Sequence, residues 1–109
     1  MKRRTFTSLV TGLSVAAGLI GTTAMAQDDM RIALVVKALG IGFFEAAAEG
    51  ANEAAAELGN VEIIYTGPTS TTAEGQIEVI NSLIAQGVDA IAISANDPDA
   101  VVPALKRAM

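Results

Sequence analysis

Four residues near the ends of predicted strands carry side chains suited to holding a small polar ligand. Lys37 closes one apolar run, Phe43 and Phe44 follow it after two glycines, and Asn96 follows a later apolar run. Lysine donates hydrogen bonds, asparagine donates and accepts them, and an aromatic ring stacks on the apolar face of a sugar. These residue types therefore indicate binding of a hydroxyl-rich ligand such as a carbohydrate.

Each of these residues also has a purely structural alternative. Phe44 belongs to an apolar helix stripe and is expected in the core, whereas Phe43 lies off that stripe and is the stronger ligand candidate. Lys37 could simply point into water, but no other basic residue lies between Arg31 and Lys106. Asn96 could serve only as a turn former.

The residue types argue against several kinds of catalytic or nucleotide site. The chain has no histidine and no cysteine, which excludes imidazole bases, thiolate nucleophiles and disulfides. Gly40-Ile41-Gly42 is a weak dinucleotide fingerprint, because its third glycine would fall at Glu45. An acid and base pair could be sought in Asp97 and Asp99, but helix capping explains both. No catalytic residue is predicted.

The charges are divided unevenly along the chain. Of the seven basic residues, three lie at positions 2–4, whereas all twelve acidic residues follow Ala26. An acidic body repels nucleic acid and anionic lipid, so neither is expected as a partner. Four glutamates recur at every fourth position, which predicts a solvated helix face rather than a metal site: Glu45, Glu49, Glu53 and Glu57.

Residues 1–26 have the layout of an export signal. A basic start precedes an uncharged segment that closes with Ala24-Met25-Ala26, which predicts cleavage before Gln27 and an exported mature protein with no membrane insertion. A transmembrane anchor is disfavoured, because Thr, Ser and Gly interrupt the segment. Arg3-Arg4-Thr5-Phe6 resembles a twin-arginine signal, and both the twin-arginine (Tat) and general secretory (Sec) routes stay open.

The mature part, 27–109, alternates strand and helix patterns. Apolar runs at 31–37, 61–66 and 90–94 predict three strands. The first helix has a stripe that ends before Gly59 and consists of Phe44, Ala48, Ala51, Ala55 and Leu58.

The second helix is expected to start with a capping box from Thr71 to Glu74 and to end at Gly87. Its apolar stripe is Ile77, Ile80 and Ile84. The third helix begins around Asp97-Pro98-Asp99. Pro103 should distort its first turn or move its start to Asp99, because proline deletes a backbone bond.

The order βαβαβα predicts an α/β fold with a parallel, doubly wound sheet. The ligand crevice of such a sheet lies beyond the carboxyl ends of its strands. The loops at 37–42, 66–72 and 95–99 are therefore expected to meet there and to bring the four candidate residues to one site.

The sequence resembles the periplasmic sugar-binding proteins of ABC importers, in the ribose-binding-like class with two α/β lobes. The resemblance is carried by RIALVVKALGIGFFEAA, IYTGPTSTTAEGQIEVINSLIAQGVDAIAISANDPDA and VVPALKRAM. Within that class it is similar to the rhamnose- and autoinducer-2-binding branch, in which a lysine ends the first strand, GFF opens the first helix and GPT follows the second strand.

The resemblance implies a fold, a function and ligand contacts. Residues 27–109 would form an incomplete N-terminal lobe of a type I periplasmic binding protein, in which Lys37, Phe43 and Phe44 contact the ligand. Ribose-type members have asparagine where this chain has Ile41, which argues against ribose.

The implied protein is not an enzyme and needs no cofactor. It would deliver rhamnose or a related small sugar to an ABC permease in the inner membrane. The alternative is an autoinducer-2 receptor for uptake or signalling.

Overall fold

The computed structural model describes residues 29–109, so the predicted export signal at 1–26 lies outside the described residues. Three strands alternate with three helices, which confirms the expected order. The elements are β1 (Met30–Val35), α1 (Gly42–Leu58), β2 (Val61–Thr66), α2 (Ala73–Gln86), β3 (Ala90–Ile93) and α3 (Pro98–Ala108).

The three strands form one parallel sheet in the order β2-β1-β3. Met30 pairs with Val61 at one end of β1, and Val35 pairs with both Thr66 and Ile93 at the other. The chain moves from β1 to β2 on one side and then returns past β1 to β3. Crossovers between parallel strands are right-handed as a rule, and in this strand order right-handed crossovers put α1 and α2 on opposite faces of the sheet. The contacts agree with this arrangement, since α1 packs against β2, whereas α2 packs against β1 and α3.

The core lies mainly between the sheet and the helices α2 and α3. Ala33 and Val35 of the central strand are fully buried and pack with Leu83 of α2. Ile80, also on α2, packs with Val101 and Ala104 of α3. On the other face, α1 packs against β2. Within residues 29–109, no helix combines the length and apolar character needed to cross a membrane.

The helix ends follow the local signals in the sequence at three places. Gly59 and Gly87 end α1 and α2 in the left-handed conformation, with φ of 79° and 68°, where glycine has no steric penalty. Asp97 caps α3 by accepting hydrogen bonds from the backbone N–H groups of Asp99 and Ala100, at 3.0 and 3.1 Å. These predictions are confirmed.

The capping box predicted from Thr71 to Glu74 is wrong by one residue. Thr72 is the N-cap of α2, and its hydroxyl oxygen accepts from Gly75 N at 3.2 Å. The third helical position is therefore a glycine, which has no side chain to return the bond. The buried face of α2 also differs from the predicted stripe: its buried residues are Gln76, Ile80 and Leu83, whereas Ile77 and Ile84 are only partly buried.

Two further expectations about the helices are wrong. Leu58 is 66% exposed rather than part of the buried stripe, because it is the last residue of α1, where the chain turns away toward β2. In α3, the helix starts at Pro98 and runs through Pro103. Proline at 103 removes only the bond to the carbonyl of Asp99, and both residues are exposed to solvent, so the helix tolerates it.

Candidate functional site

Three connecting segments meet where the parallel strands end. They are residues 36–41, 67–72 and 94–97, and together they form what we call the carboxyl edge. Backbone hydrogen bonds join them to one another and to the strand ends: Val36 N donates to Thr66 O at 3.0 Å, and Leu39 N donates to Pro68 O at 2.9 Å. Ser94 N donates to Val35 O at 2.9 Å. The carboxyl edge is therefore a continuous surface.

Lys37 and Asn96 are in direct contact at the carboxyl edge. The side-chain nitrogen of Asn96 donates to Lys37 O at 2.9 Å and to Thr72 O at 3.3 Å. Both amide hydrogens are thereby used within the protein, and among the described residues no donor bonds to the side-chain oxygen. The Lys37 side chain is exposed. The pair thus offers a charged donor and a carbonyl acceptor.

Phe43 and Phe44 open α1 at the same edge and have different environments. Phe43 is 77% exposed, whereas Phe44 is partly buried. Their rings meet edge to face, with centroids 5.2 Å apart and an interplanar angle of 81°. Leu39 and Ile41 are also exposed, so the chain just after Lys37 carries three exposed apolar side chains.

Gln76 is a residue of this region that the sequence analysis missed. It lies on α2 with 0% of its surface exposed. Its side-chain nitrogen donates to Val36 O at 3.0 Å and to Ser94 O at 2.8 Å, and its side-chain oxygen accepts from Asn96 N at 2.8 Å. The available signal was its spacing, four residues before Ile80 and seven before Leu83, which puts a polar residue on a buried stripe.

Gly67 marks a close approach between two segments of the carboxyl edge. A Cβ at this position would lie 2.9 Å from a methyl carbon of Val36 and 3.0 Å from Val36 O. Only glycine fits without movement of the neighbouring backbone. The same Val36 carbonyl accepts a hydrogen bond from Gln76, so the close approach and the Gln76 contacts fix one point of the edge.

The groups at the carboxyl edge suit hydrogen bonding and stacking rather than acid–base chemistry. Asp97, the nearest carboxylate in sequence to Asn96, is engaged in capping α3. In the part of the chain that the structure describes, no group of three or more acidic side chains could hold a metal ion. What remains is an ammonium donor, an amide oxygen and an exposed ring, which complement a hydroxyl-bearing ligand.

A groove outside the carboxyl edge has a mainly apolar lining. This groove of about 640 Å³ runs along β3 and is lined mainly by apolar residues of α2, β3 and α3, including Ile84, Ile91 and Leu105. Its charged side chain is Asp89. Among the described residues, β3 pairs only with β1, so the groove follows an open strand edge. The side chains that line it include no hydrogen-bond donor, whereas the carboxyl edge has Lys37, so the carboxyl edge is the candidate site.

The fold and the edge define a class: an open parallel α/β unit, part of a type I periplasmic binding protein domain. Residues 32–109 match the periplasmic binding protein domain family. The chain belongs to this family, as the resemblance of its sequence implied.

Relatives of known name and structure agree with this membership. A D-ribose/D-allose-binding protein of Pseudomonas aeruginosa is 33% identical over 103 residues, which cover 93% of this chain and 32% of that protein. LsrB from Clostridium saccharobutylicum in complex with AI-2 is 34% identical with a TM-score of 0.70, covering 72% of this chain and 24% of that one.

A third similar protein is the ABC transporter solute-binding protein from Clostridium phytofermentas with bound L-rhamnose. It is 41% identical with a TM-score of 0.68, covering 73% of this chain and 25% of that one. The present chain thus spans about a third of the length of the Pseudomonas relative and about a quarter of the two solved chains.

Proposed function

We propose that this chain is part of a solute receptor that binds a small sugar in the periplasm and delivers it to an ABC permease in the inner membrane. The observation that carries the proposal is the juxtaposition of Lys37 and Asn96 at the carboxyl edge, close in the chain to the exposed ring of Phe43. The three similar proteins are named for sugar or AI-2 binding, which supports the ligand class.

The hydrogen-bonding groups of the carboxyl edge restrict the class of ligand that it could bind. The Asn96 nitrogen is committed to Lys37 O and Thr72 O, so Asn96 offers only its oxygen, an acceptor. Lys37 offers only donors. A hydroxyl group satisfies both, because it donates to one and accepts from the other. A ligand with only acceptor groups would leave Asn96 unpaired, at a cost of about 1–3 kcal/mol once the site is closed. We therefore favour a neutral polyol.

L-rhamnose or a related small sugar is the leading candidate. In support, the relative with bound L-rhamnose is 41% identical to this chain, and Ile41 stands where ribose-type members have asparagine. Autoinducer-2, for uptake or signalling, is the second candidate, because the 34% identical LsrB binds AI-2. Phe44 is assigned a supporting part in the site, since it holds the ring of Phe43 edge to face.

The test is calorimetric titration of the full product of the gene with L-rhamnose, autoinducer-2, D-ribose and D-allose. We expect saturable one-to-one binding, with L-rhamnose or autoinducer-2 tighter than D-ribose. The 109-residue chain alone is the control and should not bind, because half of a two-lobed cleft cannot remove a sugar from water. The proposal is refuted if the gene product binds none of the four compounds.

The domain assignment and the export route belong to the same proposal. We assign residues 1–26 to a signal peptide that is cleaved before Gln27, and 27–109 to part of the N-terminal lobe. Replacing Arg3 and Arg4 with lysine should stop export by the twin-arginine route and leave the general secretory route intact. Amino-terminal sequencing of the periplasmic product tests the cleavage site, and a product that retains residues 1–26 would contradict it.

A further inference from the structure

The buried side chain of Gln76 connects the segments that carry the proposed ligand contacts. It is the one polar or charged residue among those fully enclosed in the described part of the chain. Burying an amide costs free energy unless its hydrogen bonds are replaced. Here both hydrogens and the oxygen are bonded, at 2.8–3.0 Å, so no group of the side chain is left unpaired.

The three bonds reach two different connections at the carboxyl edge. Val36 O belongs to the segment that continues into Lys37, and Ser94 O and Asn96 N belong to the segment after β3. The arrangement also fixes the orientation of the amide, because its nitrogen faces two carbonyl oxygens and its oxygen faces an N–H group. Neither an apolar side chain at position 76 nor an amide with its oxygen and nitrogen interchanged could make these three bonds.

Asn96 extends the connection to the third segment and back to Lys37. Its backbone N–H is held by Gln76, while its side chain donates to Lys37 O and Thr72 O. A displacement of Asn96 therefore moves its side-chain oxygen and also frees the backbone at Lys37. Gln76 thus holds the backbone segments from which the proposed donor and the proposed acceptor extend.

We propose that Gln76 is a positioning residue of the ligand site: without touching the ligand, it holds the Lys37 and Asn96 segments at the spacing that binding requires. The ligand part of this inference rests on the proposed function. The ordering of the two segments by Gln76 does not, and it is measurable without a ligand.

The first measurement is hydrogen exchange at single-amide resolution on the wild-type gene product. Asn96 lies outside regular secondary structure, and an ordinary loop amide exchanges rapidly. If Gln76 holds it, the Asn96 amide should exchange at least 100-fold more slowly than the exposed amide of Ser70. Exchange as fast as that of Ser70 would overturn the proposal, even if no variant can be prepared.

The second measurement compares three variants on α2. Gln76→Met keeps the length of the side chain and removes the three bonds, and should raise Asn96 exchange at least tenfold. Leu83→Ala is a matched control: Leu83 lies seven positions after Gln76 on the same helix and packs on Ala33 and Val35, so its truncation destabilises the fold without removing a hydrogen bond of Gln76 or Asn96, and it should change all amides together. Gln86→Met removes an exposed glutamine, whose side chain bonds to Ser82, and it should change neither the exchange of the Asn96 amide nor that of the other amides.

Binding separates a positioning role from a merely structural one. At a temperature where Gln76→Met and Leu83→Ala are both fully folded, Gln76→Met should bind the sugar of the four-compound panel at least tenfold more weakly, and Leu83→Ala within twofold of wild type. Equal affinities for the two variants would overturn the positioning role. If the wild-type gene product binds none of the panel, the proposed function fails, while the exchange measurements still decide whether Gln76 orders the edge.

Discussion

Truncation of each phenylalanine at the start of α1 should have opposite consequences for stability and for binding. A fully buried phenylalanine changed to alanine costs about 3–5 kcal/mol of unfolding free energy. Phe43 is 77% exposed, so roughly a quarter of its surface is covered, and the same scale predicts a loss of about 1 kcal/mol for Phe43→Ala. The edge-to-face contact with Phe44 is worth about 0.5–1.5 kcal/mol beyond the area it covers. Either truncation removes this contact, so it adds equally to the cost of both variants and leaves their order unchanged.

Phe44→Ala should cost more, about 2–4 kcal/mol, because Phe44 is partly buried beneath the edge. Denaturant unfolding of the full gene product would measure both values. Leu58→Ala is a suitable control, since Leu58 lies on the same helix at 66% exposure, and the same scale predicts a loss of about 1 kcal/mol, well below that of Phe44→Ala.

The binding arm reverses the order. If Phe43 stacks on the sugar, Phe43→Ala should lose about 1 kcal/mol of affinity, or roughly fivefold, while Phe44→Ala stays closer to wild type once folded. Calorimetry with the ligand found in the sugar panel would measure this. The reasoning is refuted if Phe43→Ala binds as tightly as wild type, or if it destabilises the protein more than Phe44→Ala does.

Three other outcomes follow from the geometry of the edge and of the sheet. Lys37→Met should reduce affinity by about 1.5–3 kcal/mol, roughly ten- to hundredfold, with unfolding within about 0.5 kcal/mol of wild type; unchanged affinity by calorimetry would remove Lys37 from the site. Gly67→Ala should destabilise the protein by about 1–3 kcal/mol, because its Cβ would meet Val36 at 2.9 Å. The control Gly50→Ala, whose Cβ meets nothing within 4 Å, should stabilise α1 by about 0.5–1 kcal/mol. Equal denaturant midpoints for the two variants would contradict the close approach at Gly67. The 109-residue chain should self-associate through the open edge of β3 and its apolar groove, seen as concentration-dependent sedimentation, and a sharp cooperative monomer would contradict this.

The fold could be predicted from the sequence because its signals are local. The strands follow from short apolar runs, and the helix ends follow from Gly59, Gly87 and Asp97, each of which acts on its own backbone. The error in the predicted N-cap of α2 is also small, a single residue along the chain. Two adjacent threonines, Thr71 and Thr72, are chemically equal candidates for one cap, and only the path of the chain between β2 and α2 decides between them.

The site was less accessible to sequence reasoning, because its organisation is long-range. Gln76 bonds to Val36 across 40 positions of the chain, and Asn96 bonds to Lys37 across 59. Residue type predicts that an amide can donate and accept, but not which partners it finds. Asn96 was expected to contact ligand or to form a turn, but the sequence could not show that its nitrogen donates to two carbonyl oxygens of the protein, which leaves only its oxygen for a ligand.

The Gln76 contacts bear on how the proposed receptor would obtain its affinity. Binding normally costs free energy for ordering the side chains and loops at the interface. Here the backbone at Val36, Ser94 and Asn96 is already held by a buried side chain, so little of that cost falls on these segments. Lys37 and Phe43, by contrast, remain open to solvent, and their contacts gain strength only when water is removed from around them. In the proposed receptor, the carboxyl edge would therefore supply the geometry of the ligand site in advance. A second surface that closes over the ligand would have to remove the water around Lys37 and Phe43.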